Sequence, residues 1–296
     1  MRLFKFSKPK TPGFGLSDRF YISVLSGQAM LPALVSTIEP KGADGAVPGF
    51  GVPLAPGASK ADLQRPMERG EYALASTDRK TVLRMRVLSK EEAGFDPSWV
   101  ATSPLAALLE EEVLARLRAT WIVMQLSFES HDPDVYPALD FLLNLAQRLG
   151  GATQGVVADP LAQRYVLPEK LFVHPRLDPR VDAREHVVVR FEPSREGWHA
   201  FTLGLQKFSL PEIEIYGLAQ TDAEVAAAFL IGLAQSNLLG NLVAEGHTVG
   251  LETEPLEVRA GGLDRGQWEG IPCLELIPTK GTEASAALHA WVRAQH

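Results

Sequence analysis

A strand-like run in the second half of the chain, residues 198–217, contains the side chains best able to do chemistry. Its polar members include His199, Thr202, Lys207, Glu212 and Glu214. Glu212 and Glu214 alternate with two isoleucines, and side chains of a strand point to opposite faces in turn, so both carboxylates should share one face of a sheet. That face must be either exposed to solvent or occupied by specific contacts.

One chemical interpretation of this run is a metal site. His186, His199, Glu212 and Glu214 would converge if the segments that carry them pair in one sheet, and imidazole and carboxylate groups suit Zn²⁺ or Mn²⁺. A metal ion with an open position would polarise water for hydrolysis. However, the spacing matches no compact ligand motif such as H-E-x-x-H. We therefore predict no cofactor and keep this metal set as an alternative.

The competing interpretation is structural. Glu212 or Glu214 would accept hydrogen bonds from backbone N–H groups, or pair with Lys207 or a nearby arginine, because a half-buried acid needs such partners to offset its desolvation. A third interpretation is a polar recognition surface that contacts a partner or ligand.

Composition excludes several classes of protein. A chain of 296 residues with 46% hydrophobic and 22% charged residues is typical of a folded globular protein. The formal net charge of -7 and a pI near 5.6 argue against nucleic-acid binding and favour a cationic partner. The single cysteine, Cys273, predicts a buried core thiol and a reducing cytoplasm. No apolar run is long enough to predict a membrane span.

The order of strand-like and helix-like segments predicts an α+β fold with mixed or antiparallel sheets, in strand-helix-strand units that could form two similar lobes. We expect a flexible basic tail over residues 1–18, an N-terminal lobe over 19–113 and a C-terminal lobe over 114–296. Within these lobes, we expect one helix over 104–118, capped by Ser103, and a strand over 186–191. Residues 246–250 are expected to form a turn.

From about Ala115 to Leu276 the chain resembles a bacterial family known only as a domain of unknown function. The likeness rests on a T-x-G-L-x-x-F-x-x-P-E-x-E pattern and on a downstream Gly246–Gly250 segment. The pattern comprises Thr202, Gly204, Leu205, Phe208, Pro211, Glu212 and Glu214, and Ile215 follows it. The family usually has glycine where this chain has Ser209, and Asp-Gly-Asp-Thr where it has residues 244–248. The resemblance implies a soluble bacterial α+β protein and implies no activity.

The functional expectation is a cytoplasmic, non-catalytic protein that contacts an unidentified protein partner through an acidic surface. Thr202, Glu212 and Glu214 would maintain its central sheet, and Gly204, Phe208 and Pro211 would belong to the same structural or recognition signature. A metal-dependent hydrolase built on His186, His199, Glu212 and Glu214 is the alternative. A weaker alternative is a neutralising partner of a basic toxin, suggested by the negative charge and the bacterial likeness.

Overall fold

The computed structural model divides the chain into two compact units, Phe20–His174 and Pro175–His296, here called the N-terminal and C-terminal units. The residues it describes are 21–38, 50–53, 61–76, 81–130, 136–172, 175–261, 271–279, 281 and 283–294. The predicted basic tail over 1–18 lies outside these residues. The predicted α+β class is confirmed.

The N-terminal unit is built on a seven-stranded, wholly antiparallel sheet with the strand order β2-β3-β4-β5-β1-β6-β7. Its strands are β1 (Ile22–Ser26), β2 (Phe50–Pro53), β3 (Gly70–Ser76), β4 (Thr81–Ser89), β5 (Ile122–Ser130), β6 (Val156–Asp159) and β7 (Arg164–Val166). Strand β5 pairs with both β4 and β1. This sheet therefore runs across the boundary predicted between residues 113 and 114, and the division between units falls later in the chain.

Helices flank this sheet. They are α1 (Leu34–Ile38), α2 (Pro97–Thr102), α3 (Glu111–Arg118) and α4 (Tyr136–Ala152). On one face, Val100 of α2 and Val113 of α3 pack with Leu25, Val123 and other strand residues in a buried apolar cluster. Helix α4 contacts β1, β5 and β6, and its Gly150 lies against the side chain of Val157. Both neighbours of Val157 along β6 belong to that cluster, so α4 packs on the other face of the sheet.

The C-terminal unit is built on a six-stranded mixed sheet with the order β11-β12-β13-β10-β9-β8. Its strands are β8 (Val188–Ser194), β9 (Gly197–Leu203), β10 (Glu212–Leu218), β11 (Thr248–Leu251), β12 (Glu254–Gly261) and β13 (Cys273–Pro278). Strands β10 and β13 are parallel, and the other pairs are antiparallel. The two sheets thus differ in strand number and in strand direction.

The described residues of the C-terminal unit include three α-helices: α5 (Ala183–His186), α6 (Ala223–Leu238) and α7 (Ala284–Arg293). Helix α6 contacts β8 and β9, and α7 contacts β10, β12 and β13. Asp222 joins the two helices, because it precedes α6 and its carboxylate lies 2.9 Å from His289 Nε2 on α7 and accepts a hydrogen bond from Ser285 of α7.

Two predicted elements differ from the structure. The expected helix over 104–118 is a 3₁₀ helix (Pro104–Leu108) followed by α3, because Leu109 and Glu110 between them have extended backbones. Ser103 precedes the 3₁₀ helix without a side-chain capping bond. The expected strand over 186–191 begins later, since His186 ends α5, whose N-cap Asp182 accepts a hydrogen bond from the backbone of Arg184.

Among the described residues, no helix combines the length and the apolar character needed to cross a membrane. Residues 246–250, expected to be a turn, include the start of β11, and Gly246 and Gly250 both have positive φ angles.

Candidate functional site

The carboxylate of Glu212 is the centre of the candidate site. Glu212 begins β10 and is 0% exposed. Its Oε1 accepts hydrogen bonds from the backbone N–H groups of Gly204 at 2.8 Å and Gln206 at 3.2 Å, and its Oε2 accepts one from Thr202 Oγ1 at 2.7 Å. Gly204 and Gln206 lie in the connection between β9 and β10, so this carboxylate holds that connection against the sheet.

Thr202 links the two strands a second time. Its hydroxyl donates to Glu212 and accepts a hydrogen bond from the backbone N–H of Ile213 at 2.8 Å. The connection itself is a 3₁₀ helix, Leu205–Phe208, bounded by two residues with positive φ: Gly204 at 122° and Ser209 at 56°. Ser209 adopts the left-handed conformation that glycine reaches most readily. A glycine at this position would adopt the same conformation without strain.

The environment of Glu212 opposes its ionisation. Burial raises its pKa from the usual 4.5 to about 7, although hydrogen bonds from Thr202 and from backbone N–H groups favour the charged form and limit the rise. The carboxyl group therefore titrates near neutral pH.

Glu214 forms a second buried group with His199 and Tyr216. His199 Nε2 lies 3.0 Å from Glu214 Oε2, and the Tyr216 hydroxyl donates to the same oxygen at 3.1 Å. The imidazole stacks on the rings of Tyr216 and Phe201, with centroids 4.0 and 4.7 Å away. Both His199 and Glu214 are 0% exposed. The face that carries the carboxylates is thus occupied by protein groups at these two positions.

His186 and Lys207 lie in a third setting. Lys207 is fully buried, and its Nζ donates to the backbone oxygen of His186 at 2.5 Å. The His186 ring meets the ring of Phe208 edge to face, with centroids 5.3 Å apart. This contact fixes the end of α5 to the connection between β9 and β10.

The four residues of the metal hypothesis are consequently found in three settings. His199 and Glu214 are in contact, Glu212 is bound by the strand connection, and His186 lies against Phe208. In the part of the chain that the structure describes, no group of three or more His, Cys, Asp or Glu side chains is arranged to hold a metal ion.

Cys273 lies on the same face as Glu212, which is its neighbour on β10. The thiol is buried, and burial together with the nearby carboxylates of Glu214 and Glu212 raises its pKa far above neutrality. The thiol therefore stays protonated and unreactive near neutral pH.

Near the ends of the parallel strands β10 and β13 lies a pocket of about 430 Å³, here called the acidic pocket. Three carboxylates line it: Glu196 from the turn between β8 and β9, Glu275 from β13, and Glu283, which precedes α7. Glu275 also lies opposite Glu214 in the parallel pair. Burial, followed by repulsion from Glu214 and Glu196, raises the pKa of Glu275.

The acidic pocket was missed in the sequence because its carboxylates come from three separate elements. The uneven distribution of charge along the sequence is one signal that could have indicated an acidic site in this unit. Residues 175–296 contain 17 Asp and Glu against 10 Lys and Arg, whereas residues 1–174 contain 19 of each. The C-terminal unit therefore carries the whole formal charge of -7.

The chain was also compared with known proteins. No protein-family model, curated protein or solved structure matches it. The resemblance to the bacterial family stays a prediction.

Proposed function

We propose that the chain is a non-catalytic cytoplasmic protein whose C-terminal unit binds a basic segment of a protein partner at the acidic pocket. In this proposal, Thr202, Glu212 and Glu214 maintain the sheet that presents the pocket. The observation that carries the proposal is that the reactive side chains are buried and form hydrogen bonds within the fold. Glu212, Glu214, His199 and Lys207 are all 0% exposed and hydrogen-bonded within the unit.

Burial of this kind favours a structural role over a catalytic one. A general base or nucleophile must approach a substrate within hydrogen-bonding distance. Glu212 instead satisfies backbone groups that would otherwise be buried without partners, a need that any folded chain must meet.

The distribution of charge supports a basic partner. Three carboxylates, Glu196, Glu275 and Glu283, line one pocket in the unit that carries all of the net negative charge. A cation that enters would offset the repulsion between Glu275 and Glu196. Tyr216, which also lines the pocket, offers an aromatic ring for a lysine or arginine stem. A basic toxin is one partner of this class.

The proposal is tested by titrating the full chain with a lysine- and arginine-rich peptide of about ten residues at low and physiological salt. Glu196→Gln, Glu275→Gln and Glu283→Gln are combined in one variant. We expect it to bind the peptide on the order of tenfold more weakly than the wild type, since three favourable charge interactions are lost.

A matched control removes three exposed carboxylates elsewhere in the same unit, by Glu224→Gln, Glu245→Gln and Glu252→Gln. Its net charge equals that of the pocket variant, so a general electrostatic attraction would weaken both equally. Equal weakening, or no binding of the peptide at low salt, would rule out the acidic pocket as the binding site.

A further inference from the structure

One edge of the C-terminal sheet is a long strand. Strand β8 (Val188–Ser194) is the last strand in the order β11-β12-β13-β10-β9-β8, and among the described residues it pairs with β9 alone. It has seven residues, whereas β11 at the other edge has four. An edge strand of this length carries backbone groups along one side with which another strand can pair.

The register shows which backbone groups of β8 point outward. Pro193 lies opposite Trp198 of β9, and proline has no N–H to donate to that strand. Pairs of an antiparallel ladder alternate between residues that exchange hydrogen bonds and residues that do not. Pro193 therefore belongs to a pair of the second kind, and so do Val189 and Phe191. At these positions the backbone polar groups face away from β9.

The side chains of β8 also alternate between two faces. Val189 and Phe191 are half-buried on one face, where Phe191 stacks on Trp198 with ring centroids 5.0 Å apart. Arg190 and Glu192 are half-buried on the other face and lie close enough for their charges to interact. A positive and a negative residue are thus placed symmetrically about Phe191.

From this geometry we infer that the chain forms a two-fold dimer, in which β8 pairs antiparallel with β8 of a second copy and the pairing is centred on Phe191. The two Phe191 residues exchange two backbone hydrogen bonds, and each Val189 N–H donates to the carbonyl oxygen of Pro193 in the other copy. Arg190 of each copy lies opposite Glu192 of the other, in pairs whose side chains approach most closely. The two six-stranded sheets then become one continuous sheet.

The charges select this register over its neighbour. A pairing centred on Arg190 would also align outward-facing backbone groups, but it would place Arg190 opposite itself, and like charges directly opposite each other are destabilising. The register centred on Phe191 instead adds a residue of opposite charge beside each Arg190 and each Glu192. This gain does not depend on either side chain being without a partner in its own chain. The inference goes beyond the proposed function, because no residue of β8 lines the acidic pocket.

Sedimentation velocity of the full chain, over concentrations from roughly 1 µM to 0.5 mM, tests this inference. We expect a monomer–dimer equilibrium, with slower hydrogen exchange at residues 188–194 as the dimer forms. Arg190→Glu and Glu192→Arg each place like charges opposite one another, so each variant alone should dimerise about tenfold more weakly or worse. An equal mixture of the two variants restores opposite charges at both pairs and should dimerise about as tightly as the wild type.

A matched control makes the same changes in the ion pair of Arg259 and Glu257, which are also two residues apart but lie on β12, a strand with neighbours on both sides. Arg259→Glu and Glu257→Arg should dimerise as the wild type does. Val189→Pro removes an outward-facing N–H and leaves the charges of β8 in place. It should weaken dimerisation by about tenfold or more, while circular dichroism verifies the fold.

The inference fails if the wild type stays monomeric at the highest concentration or if Val189→Pro dimerises as tightly as the wild type. It also fails if the two folded charge variants remain monomeric when mixed, or if the β12 variants weaken the dimer as much as the β8 variants do. Should the charge variants not fold, Val189→Pro and the hydrogen exchange of the wild type decide the question.

Discussion

Replacing Glu212 with glutamine should change how the stability of the protein depends on pH. Glutamine has nearly the same shape and keeps an oxygen that can accept from Gly204 and Gln206. It cannot ionise. Any difference between the pH profiles of the variant and the wild type therefore reports the ionisation of the buried carboxyl group.

The sign follows from the pKa. Burial raises the pKa of Glu212 from 4.5 to about 7, so between these two pH values the folded state binds more protons than the unfolded state. Below pH 4.5 this group therefore adds its full contribution to the free energy of unfolding of the wild type. That contribution falls as the pH rises toward 7. Integrated over this interval, the loss is about 3 kcal/mol.

The variant has no carboxyl group at position 212, so its stability does not fall in this way as the pH rises. We expect the free energy of unfolding of Glu212→Gln, relative to the wild type, to rise by about 3 kcal/mol between about pH 4 and about pH 8. Urea denaturation followed by tryptophan fluorescence at several pH values measures it, and Glu252→Gln, at an exposed position, should follow the wild type throughout.

A flat difference between the two profiles would refute this reasoning. A variant that loses stability relative to the wild type as the pH rises would refute it more strongly. In that case the hydrogen bonds from Thr202 and the strand connection would outweigh burial, and the native pKa of Glu212 would lie below 4.5.

Two further substitutions test the packing around the carboxylates by the same denaturation assay. Thr202→Val removes the hydroxyl that bonds Glu212 and Ile213, so it should lower the free energy of unfolding by about 2 kcal/mol; an unchanged midpoint would contradict the contacts described here. Gly261→Ala should cost about 1 to 3 kcal/mol, because its new Cβ would lie 2.7 Å from Glu214 Oε1 and 2.9 Å from a backbone nitrogen of β13. A neutral effect would mean that the carboxylate can move aside.

Local periodicity indicated strand structure around the carboxylates, but it did not indicate the 3₁₀ helix that divides this run or the environment of the side chains. The alternation of Glu212 and Glu214 with isoleucines correctly indicated a strand, but it left open whether the carboxylates meet water or protein. The donors that bind Glu212 are backbone N–H groups of the connection at Gly204 and Gln206, and backbone donors are present at nearly every position. Only the path of the chain decides where they point.

The errors in the predicted elements have a similar origin. His186 was assigned to a strand because three valines follow it, whereas Asp182 starts a short helix that ends at His186. The break between Pro104–Leu108 and α3 interrupts a continuous apolar pattern that alone favours a single helix. In both places a few backbone angles outweighed the side-chain pattern. The compact units divide after His174 and not after residue 113, and the pairing of β5 with β1, which are distant in sequence, places β5 in the N-terminal unit.

The T-x-G-L-x-x-F-x-x-P-E-x-E pattern can be explained as the sequence of one structural connection. Thr202 and Gly204 bond Glu212, and Gly204 also has the positive φ that begins the turn. Phe208 is buried at the end of the 3₁₀ helix, and Pro211 precedes β10, where the lack of an N–H group is tolerated.

Every spacing in this pattern is thus set by the geometry of a strand, a short helix and a returning strand. Proteins that share the pattern would share this connection without sharing a reaction. Differences in function should then arise from surfaces that the pattern does not include, such as the acidic pocket.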